Sequence, residues 1–364
     1  MTLLSSLLVA AFFVLHTWRW LKAEPWKDPE PFDWRPPSDA AKVSFLVPAW
    51  NAASDIPEFI EAYSALSYPN KELILVAGGT DGSLNIAEES AIDADILVAE
   101  QTRNQRKQGA LRDAFARSSG EIIFLTDIDC RPDDESVGRV LAHLVNGNEQ
   151  VVTGSSRPLA TQQSIPAIVV HWATVRKATG FGTRYIDGLL GRSCALTRDA
   201  VQASGRFAFN APTGTDYRLA QELNRQGIKI LLEPRSEIIT EYAWPLRTYV
   251  RKRSRWLRNV LLHAERPRQH AELRGALLTI AVPVGVLGLA LVGAASDQGF
   301  LLLVAGLVVA HGIVNRVHAV RETLPSERIT TSLVWGSTLN LSGTYGAALA
   351  AAFTALVPSL RERW

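Results

Sequence analysis

Two carboxylates one residue apart, Asp127 and Asp129, follow an apolar run over residues 121–126. A buried strand ending here would deliver both carboxylates to the carboxyl edge of a sheet, where open α/β sheets bind ligands. Neighbouring carboxylates repel each other and attract a cation, and their hard oxygens suit Mg²⁺ or Mn²⁺, ions commonly shared with substrate phosphates. The pair therefore predicts a site for a metal-bound diphosphate, although Asp-x-Asp alone is more often a solvated loop or a helix cap.

Three further segments carry suitable chemistry. The glycine-rich turn at residues 78–83 allows the backbone to approach a ligand closely, and Asp81 within it could accept hydrogen bonds from a base or ribose. Asp216 lies near the start of an apparent helix, where the helix dipole alone also favours a carboxylate. Arg255 offers bidentate donors for phosphate oxygens, and with Trp256 it also has the composition of an interfacial membrane anchor.

Composition limits the class of protein. The 364 residues allow one large or two ordinary domains, and a formal net charge of +2 implies no bulk attraction to nucleic acid. Cys130 and Cys194 are the only cysteines, which excludes a disulfide framework and a zinc-ligand spacing. Both are expected to be small buried hydrophobes in a reducing compartment.

Apolar segments predict four membrane-spanning helices. The first, within residues 1–22, is interpreted as a retained N-terminal anchor, because no basic leader precedes it and no clear cleavage site follows. The other three lie within residues 276–357, as runs at 276–295, 299–314 and 333–357. The alternative, buried helices of a large soluble core, is disfavoured by the length, proximity and low charge of these runs.

Basic residues predict the topology of a multi-pass protein. They cluster after the first segment, before the second and between the third and fourth: Arg19, Lys22, Lys27; Arg266, Arg268, Arg274; Arg316, Arg321, Arg328. The connection at residues 296–298 has none. By the positive-inside rule the N-terminus lies outside and residues 22–274 lie in the cytoplasm, against a plasma or inner membrane. Three further crossings then put the C-terminus outside, which the basic residues Arg361 and Arg363 near that end weakly oppose.

Residues 40–245 predict a cytoplasmic α/β domain. Strands are expected at 43–47, 72–76, 96–98 and 121–126, and helices at 54–66, from 84, and at 108–118. This alternation indicates a Rossmann-like, mostly parallel, doubly wound sheet. An apolar stretch at 164–177 is too short to span a membrane and fits an interfacial helix and a core helix equally. Residues 246–274, dense in Arg and Lys, predict interfacial amphipathic helices.

Several motifs in continuous order resemble the membrane-bound family-2 glycosyltransferases of the GT-A fold. The matching segments are Val47–Asn51, Ser67–Val76, Thr80–Ser83, Gly120–Cys130, Gly214–Ala220 and Lys252–Trp256, over roughly residues 40 to 260. Several ordered motifs are far more specific than any one of them. Lys252 stands where the family's Gln-x-x-Arg-Trp signature has Gln, and Thr215 stands where the catalytic segment has Glu.

The resemblance implies inverting transfer of a sugar from a nucleotide diphosphate donor, expected to be a UDP-hexose. Asp129 would ligate Mg²⁺ or Mn²⁺, and Asp127 would also bind the metal or the ribose. Asp81, Pro48 and Lys107 would belong to the nucleotide site.

On the acceptor side, the resemblance makes Asp216 the general base on the acceptor hydroxyl. Arg255 and Trp256 would close over the diphosphate and the acceptor entrance.

Four predicted spans leave little material for a pore, so a single transfer to a membrane lipid is favoured. The acceptor would be of the ceramide, diacylglycerol or polyprenyl type, and the architecture is similar to ceramide glucosyltransferase-like enzymes and bacterial glycolipid synthases. Two alternatives stay open: a subunit of a polysaccharide synthase, and a non-catalytic membrane scaffold with a glycosyltransferase-like shell.

Overall fold

The structure, a computed structural model, describes residues 2–26, 32–102, 106–147, 149–209, 214–263 and 270–356. The chain divides into two units. The sheet unit comprises Asp28–Leu159 and Thr179–Glu241, and the helical unit comprises Met1–Lys27, Ala160–Ala178 and Tyr242–Trp364. We predicted one continuous domain over residues 40–245, whereas residues 160–178 group with the helical unit.

The regular elements follow in chain order. The helices are α1 (Thr2–Lys22), α2 (Ile56–Ser64), α3 (Ser83–Ser90), α4 (Arg106–Arg117), α5 (Asp134–Val145), α6 (Pro166–Thr179), α7 (Arg198–Ala203), α8 (Thr215–Arg225), α9 (Leu246–His263), α10 (His270–Ala295), α11 (Gly299–Thr323) and α12 (Thr331–Leu356). The strands are β1 (Val43–Trp50), β2 (Lys71–Gly78), β3 (Ile96–Glu100), β4 (Ile122–Leu125), β5 (Cys130–Arg131), β6 (Val151–Pro158), β7 (Arg184–Ile186), β8 (Cys194–Thr197) and β9 (Ile230–Thr240).

The described strands form one sheet in the order β3-β2-β1-β4-β8-β6-β9-β5, with β7 paired to β9. The predicted parallel arrangement holds from β3 to β4, where α2, α3 and α4 connect successive strands. Beyond β4 the sheet is mixed, because β8 runs antiparallel to both β4 and β6 while β6 and β9 are parallel. In this half of the sheet, the chain between β6 and β7 runs through the helical unit. These two strands are therefore not joined by a single crossover helix within the sheet unit, and such a helix does not set their directions.

Both faces of the sheet are covered by helices, as a doubly wound fold requires. Successive β1 side chains alternate: Phe45 packs with Tyr63 of α2 and Phe124 on one face, and Leu46 packs with the α4 side on the other. Each such fully buried large side chain contributes about 1.5–3 kcal/mol to folding. The two apolar layers therefore hold the strand ends in fixed positions.

Within the described part of the helical unit, three helices are long and apolar enough to cross a membrane, by length and composition. These segments are Leu3–Lys22, Leu273–Ala295 and Gly299–Thr323. The third is longer than the predicted apolar run at 299–314, because the helix continues to Thr323. Helix α12 matches α10 in length but carries Asn340 and several Ser and Thr residues, so a fourth crossing stays a prediction.

Helix α6 packs inside the helical unit. Its side chains Val169, Val170 and Ala173 form one apolar cluster with residues of α11 and with Leu333 of α12. The buried Arg176 of α6 donates a hydrogen bond of 2.7 Å from Nη1 to the Thr323 carbonyl oxygen. Of the two alternatives for the 164–177 stretch, these contacts match a packed core helix.

Candidate active site

The parallel strands bring the predicted loops to one edge of the sheet. Trp50 at the end of β1 is in register with Gly78 at the end of β2, and Glu100 at the end of β3 is paired with Ala77. The last β1–β4 pair is Leu46 with Leu125, after which the chain continues to the two aspartates. The loops that follow β1, β2 and β4 therefore start at the same carboxyl edge.

The Asp127–Asp129 segment is anchored by β5 and β9. Cys130 pairs with Thr240, and the Asp129 carbonyl oxygen accepts hydrogen bonds of 3.4 Å from Thr240 Oγ1 and from the Glu241 amide. Burial, reinforced by the charges of Asp129 and Asp127, raises the pKa of the Cys130 thiol to about 12. Cys130 is therefore a neutral packing residue that fixes the backbone of its acidic neighbours.

Lys107 links the first aspartate to the rest of the site. Its ammonium group, on α4, forms an ion pair with Asp127 Oδ1. The side chain of Lys107 is only partly buried, and this partial burial disfavours the ammonium charge; the carboxylates of Asp127 and Asp216 outweigh it and raise the pKa of Lys107. Arg192 lies close enough to oppose this shift. The structure thus brings Lys107, Asp127 and Asp216 together, with Arg192 as a second cation.

Asp216 is the second residue of α8, which begins after Gly214 in the left-handed backbone conformation. Gly191 packs directly against it, and a Cβ atom at Gly191 would lie 2.8 Å from Asp216 Cβ and 3.4 Å from Oδ2. The absence of a side chain at Gly191 therefore sets where the Asp216 carboxylate rests.

The backbone around Gly191 is held by Thr153 of β6. Thr153 Oγ1 accepts a hydrogen bond of 2.9 Å from the Leu190 amide and donates one of 3.2 Å to the Ser193 carbonyl oxygen. Gly154 adds a bond of 2.8 Å from its amide to the same carbonyl. The wall facing Asp216 is therefore fixed by the sheet.

Asp81 fastens the loops after β1 and β2 to each other. Its Oδ2 accepts a hydrogen bond of 3.0 Å from the Ala53 amide, and its Oδ1 accepts one of 2.6 Å from Ser83 Oγ. The bond from the Ser83 hydroxyl is the main reason that the pKa of this exposed carboxyl is lowered. Asn51, at a φ of 50°, accepts a bond of 2.7 Å from the Thr80 amide across the same two loops. Asp81 thus has a positioning role beside the predicted nucleotide role.

The other predicted residues lie as follows. Pro48 is half-buried in β1, two positions beyond Leu46, as Asp127 is two positions beyond Leu125. Arg255 and Trp256 lie on α9 in the helical unit, where Trp256 is 45% exposed and its ring is covered by the Arg253 guanidinium at 4.4 Å. The catalytic and diphosphate-binding roles assigned to Arg255 and Trp256 stay predictions.

The donor set suits a hard divalent cation that shares its coordination with a substrate. Asp127 and Asp129 offer carboxylate oxygens, and within the described residues no cluster of three or more His, Cys, Asp or Glu could hold a metal by itself. Mg²⁺ is typically bound through one or two carboxylates, with waters and substrate phosphates completing the octahedron. The assignment of Asp129 and Asp127 as metal ligands stays a prediction.

Sequence reasoning missed Gly191, Arg192 and Thr153. Their partners lie far away along the chain: Thr153 is 37 residues from Leu190 and Arg192 is 48 residues from Thr240, whose Oγ1 is 3.5 Å from Arg192 Nη1. The only local signal was a Gly-Arg pair in an irregular segment. Asn51 carried a clearer one, because Asn directly after a strand tolerates the left-handed conformation.

A sheet of this order, with an Asp-x-Asp segment and a helix-borne carboxylate at its carboxyl edge, has the GT-A glycosyltransferase fold. The solved mannosyltransferase PcManGT from Pyrobaculum calidifontis, in complex with GDP-Man and Mn²⁺, has the same fold, with a TM-score of 0.55 and 21% identity over 97% of both chains. The fold predicted from the sequence is confirmed.

Matches to family models identify the family of this chain. It matches Glycosyl transferase family 2 over residues 44–162 and Glycosyl transferase family group 2 over residues 122–315, more than half of its length. The chain belongs to the family-2 glycosyltransferases, which confirms the resemblance of its motifs.

Curated relatives match over shorter lengths. An undecaprenyl-phosphate 4-deoxy-4-formamido-L-arabinose transferase of Salmonella choleraesuis (strain SC-B67) is 28% identical over 118 residues, 31% of this chain and 36% of its own. The probable glycosyltransferase YdaM of Bacillus subtilis (strain 168) is 24% identical over 234 residues, 60% of this chain and 54% of its own. A poly-beta-1,6-N-acetyl-D-glucosamine synthase of Staphylococcus epidermidis is 26% identical over 95 residues, 26% of this chain and 23% of its own. The matches thus span about a quarter to about half of these relatives.

Proposed function

We propose that this glycosyltransferase carries out inverting, metal-dependent transfer of a sugar from a nucleotide diphosphate donor to a membrane lipid at the cytoplasmic leaflet. The observation that carries the proposal is the grouping of Lys107, Asp127 and Asp216 at the carboxyl edge of the sheet, with Asp129 two positions beyond Asp127. The structural neighbour was solved with a nucleotide sugar and Mn²⁺, ligands of the class proposed here.

The residues divide into a donor side and an acceptor side. Asp129 and Asp127 would hold the cation, which when bound neutralises charge on the departing diphosphate. Lys107 and Arg192 add fixed positive charge for the phosphate oxygens. Asp81, Asn51 and Ser83 keep the loops after β1 and β2 together, so the nucleotide meets a preformed surface.

Asp216 supplies the base in this mechanism. A hydroxyl acceptor must lose its proton as it attacks the anomeric carbon, and a positioned carboxylate typically contributes about 10²–10⁴-fold to such a step. Asp216 is half-buried at the start of α8 and is held against Gly191, so its position is fixed before the acceptor arrives. The proton moves from the acceptor oxygen to the Asp216 carboxylate. The bond between the anomeric carbon and the diphosphate oxygen breaks, and a bond between the anomeric carbon and the acceptor oxygen forms.

Two observations bear on the acceptor lipid. The Salmonella relative is named for undecaprenyl phosphate, which supports a polyprenyl phosphate acceptor. A phosphate acceptor is already ionised at neutral pH, however, whereas a base at Asp216 suits a lipid hydroxyl. The match to a named polymer synthase favours the polysaccharide alternative as the second candidate.

The test is nucleotide release by the full-length protein in detergent, with a panel of UDP- and GDP-sugars and with undecaprenyl phosphate or diacylglycerol as acceptor. We expect lipid-dependent release from one donor, lowered at least about 100-fold by Asp216→Asn with a hydroxyl acceptor. Asp129→Asn should abolish the release that Mg²⁺ or Mn²⁺ supports. Asp39→Asn, the same change at an exposed site, is the matched control.

Mass spectrometry of the lipid product decides between the candidates. One sugar per lipid supports the glycolipid function, and a ladder of masses supports a polymer synthase. Full activity of Asp216→Asn on a hydroxyl acceptor would contradict the base assignment, and no release from any donor would support the scaffold alternative.

A further inference from the structure

Arg131 of β5 binds the backbone of the turn that carries the two aspartates. The turn closes with a hydrogen bond of 3.1 Å from the Cys130 amide to the Asp127 carbonyl oxygen. Arg131 Nη1 donates bonds of 3.3 Å to the Ile128 carbonyl oxygen and of 2.9 Å to the Cys130 carbonyl oxygen. These two carbonyl groups come directly before and after Asp129 in the chain. One side chain therefore holds the backbone on both sides of this carboxylate.

The same guanidinium is anchored at the start of α2. Its Nε donates a hydrogen bond of 3.0 Å to Glu58 Oε2, and its Nη2 forms an ion pair with the same carboxylate. Nη2 also lies 3.7 Å from Oδ1 of Asp55, the residue before α2. Only 16% of the Arg131 side chain is exposed. Because a guanidinium presents its donors in fixed directions, it can bind the carboxylates and the turn at the same time.

Helix α2 begins in the loop that follows β1, and this loop is held by Asp81. The Ala53 amide donates its bond of 3.0 Å to Asp81, and two positions later Asp55 faces Arg131. Polar contacts therefore lead from Asp81, in the predicted nucleotide site, to the backbone around Asp129, in the predicted metal site. Arg131 is the side chain that joins the two loops.

Strand β9 also holds the turn, but through longer hydrogen bonds. The Asp129 carbonyl oxygen is 3.4 Å from both Thr240 Oγ1 and the Glu241 amide. Good N–H···O bonds have donor–acceptor distances of about 2.7–3.2 Å, a range that includes the bond from Arg131 to the Cys130 carbonyl oxygen. The contacts with β9 alone would therefore hold this turn less firmly.

We propose that Arg131 is a positioning residue, which fixes the Asp127–Asp129 turn relative to the nucleotide loops so that both can bind one complex of a divalent cation with a nucleotide diphosphate. All three guanidinium nitrogen atoms already have protein acceptors, so Arg131 acts through the turn and not as a phosphate ligand. This role rests on the proposed metal-dependent transfer and adds to it the residue that holds the metal-binding backbone.

Binding of Mn²⁺ to the full-length protein in detergent tests the proposal without catalysis. The electron paramagnetic resonance signal of free Mn²⁺ gives the dissociation constant in the presence of UDP or of GDP. Groups that orient metal ligands typically contribute about 10- to 100-fold to metal affinity, so we expect Arg131→Met to raise this constant by that factor. Nucleotide affinity measured without metal should stay the same, because the bonds of Asp81 are retained.

Two further variants separate the fixed geometry from the charge. Arg131→Lys keeps the positive charge but cannot bind Glu58 and both carbonyl groups together, so Mn²⁺ binding should remain weakened. It also provides the test if Arg131→Met does not fold. Glu58→Gln should weaken Mn²⁺ binding less, and should add little to Arg131→Met, because both residues act through one contact.

The matched control is Arg225→Met, which removes another arginine paired with a glutamate. Arg225 lies in the last turn of α8 and its Nη1 is 2.8 Å from Glu222 Oε1, and Mn²⁺ binding should be unchanged in this variant. Wild-type Mn²⁺ affinity in folded Arg131→Lys, or an equal loss in Arg225→Met, would overturn the positioning role alone. Failure of the wild-type protein to bind Mn²⁺ with either nucleotide would instead overturn the metal-dependent transfer, and this role with it.

Discussion

Among individual residues, Lys107 determines how several negative charges coexist in the site. It pairs with Asp127 and is also influenced by Asp216, and these two carboxylates together raise its pKa despite burial. Without this ammonium group, the negative charges of Asp127 and Asp216 would be less well compensated. Lys107 thus compensates the charge of these carboxylates, and under the proposed function it would also supply positive charge for a diphosphate.

We therefore expect Lys107→Met to weaken binding of the nucleotide diphosphate. A hydrogen bond to a charged group contributes about 1.5–3 kcal/mol, which corresponds to a roughly ten- to hundredfold higher dissociation constant. Isothermal titration with UDP and GDP in the presence of Mn²⁺ measures this directly. Lys229→Met, at an exposed lysine of the same unit, serves as control, and unchanged affinity in Lys107→Met would contradict the assignment.

Gly191 provides a test of the Asp216 position. A Cβ atom there would stand 2.8 Å from Asp216 Cβ, so Gly191→Ala must displace the carboxylate or the loop. Since small misplacements of a catalytic group can cost about 100-fold, we expect a large fall in kcat with little change in donor affinity. Gly182→Ala is the matched control, because its Cβ would meet no atom within 4 Å. Equal activity of the two variants would show that Asp216 needs no fixed position.

At the level of elements, sequence patterns predicted the half of the sheet built from consecutive crossovers. The apolar runs that became β1, β2 and β4 are flanked by Pro, Gly, Asn and Asp, and each returns through a helix, so order and direction followed from local signals. The same logic placed Asp127 and Asp129 at the carboxyl edge. It also placed Asp216 in the first turn of α8.

The rest of the fold depends on contacts between distant segments. Strand β9 pairs with β5, β6 and β7, which lie from 44 to more than 100 residues away, and no local pattern specifies these partners. The wall opposite Asp216 arises in the same way, from Thr153 of β6 holding the Leu190–Ser193 loop. Sequence reasoning therefore found the charged residues of the site but not the neutral ones that position them.

Strand β9 also carries a buried acid whose ionisation should affect stability. Glu233 is 2% exposed, receives bonds from Arg235, and contacts His143 Nε2 of α5 at 3.0 Å. Burial opposes its charge, but the bonds from His143 and Arg235 outweigh this and lower its pKa to about 2. An unfolded Glu titrates near about 4.3, so the ionised group stabilises the fold above that pH.

The stabilisation should be lost as pH falls from about 4.3 toward 2. We expect Glu233→Gln to lower Tm at pH 7 and to flatten the dependence of Tm on pH in this acid range. Thermal melts at several pH values measure both effects, with the exposed Glu88→Gln as control. A wild-type-like acid profile in Glu233→Gln would show that the His143–Glu233–Arg235 group does not couple β9 to α5.

Over the whole molecule, the two units differ in the residues that they carry. The sheet unit holds the acids and cations of the candidate site, whereas the helical unit holds the long apolar helices. Basic residues are also unevenly placed along α11, because Arg316 and Arg321 lie toward its C-terminal end and the turn before it has none. The positive-inside rule therefore predicts that the end of α11 is cytoplasmic and that its start lies outside.

Cysteine labelling tests this topology in a protein that keeps its two native cysteines. Cys130 and Cys194 are fully buried, and burial raises the pKa of both thiols, so neither should react with a maleimide in the folded protein. We expect Ser296→Cys, in the turn before α11, to be labelled in intact cells by a membrane-impermeant maleimide. Arg328→Cys, beyond the other end of α11, should be labelled only after permeabilisation.

Helix α11 has 25 residues, a length of about 37 Å, which suffices to separate the two positions across a bilayer of about 30 Å. Labelling of Arg328→Cys in intact cells with protection of Ser296→Cys would reverse the orientation and place the sheet unit outside the cytoplasm, where nucleotide sugars made in the cytoplasm could not reach it.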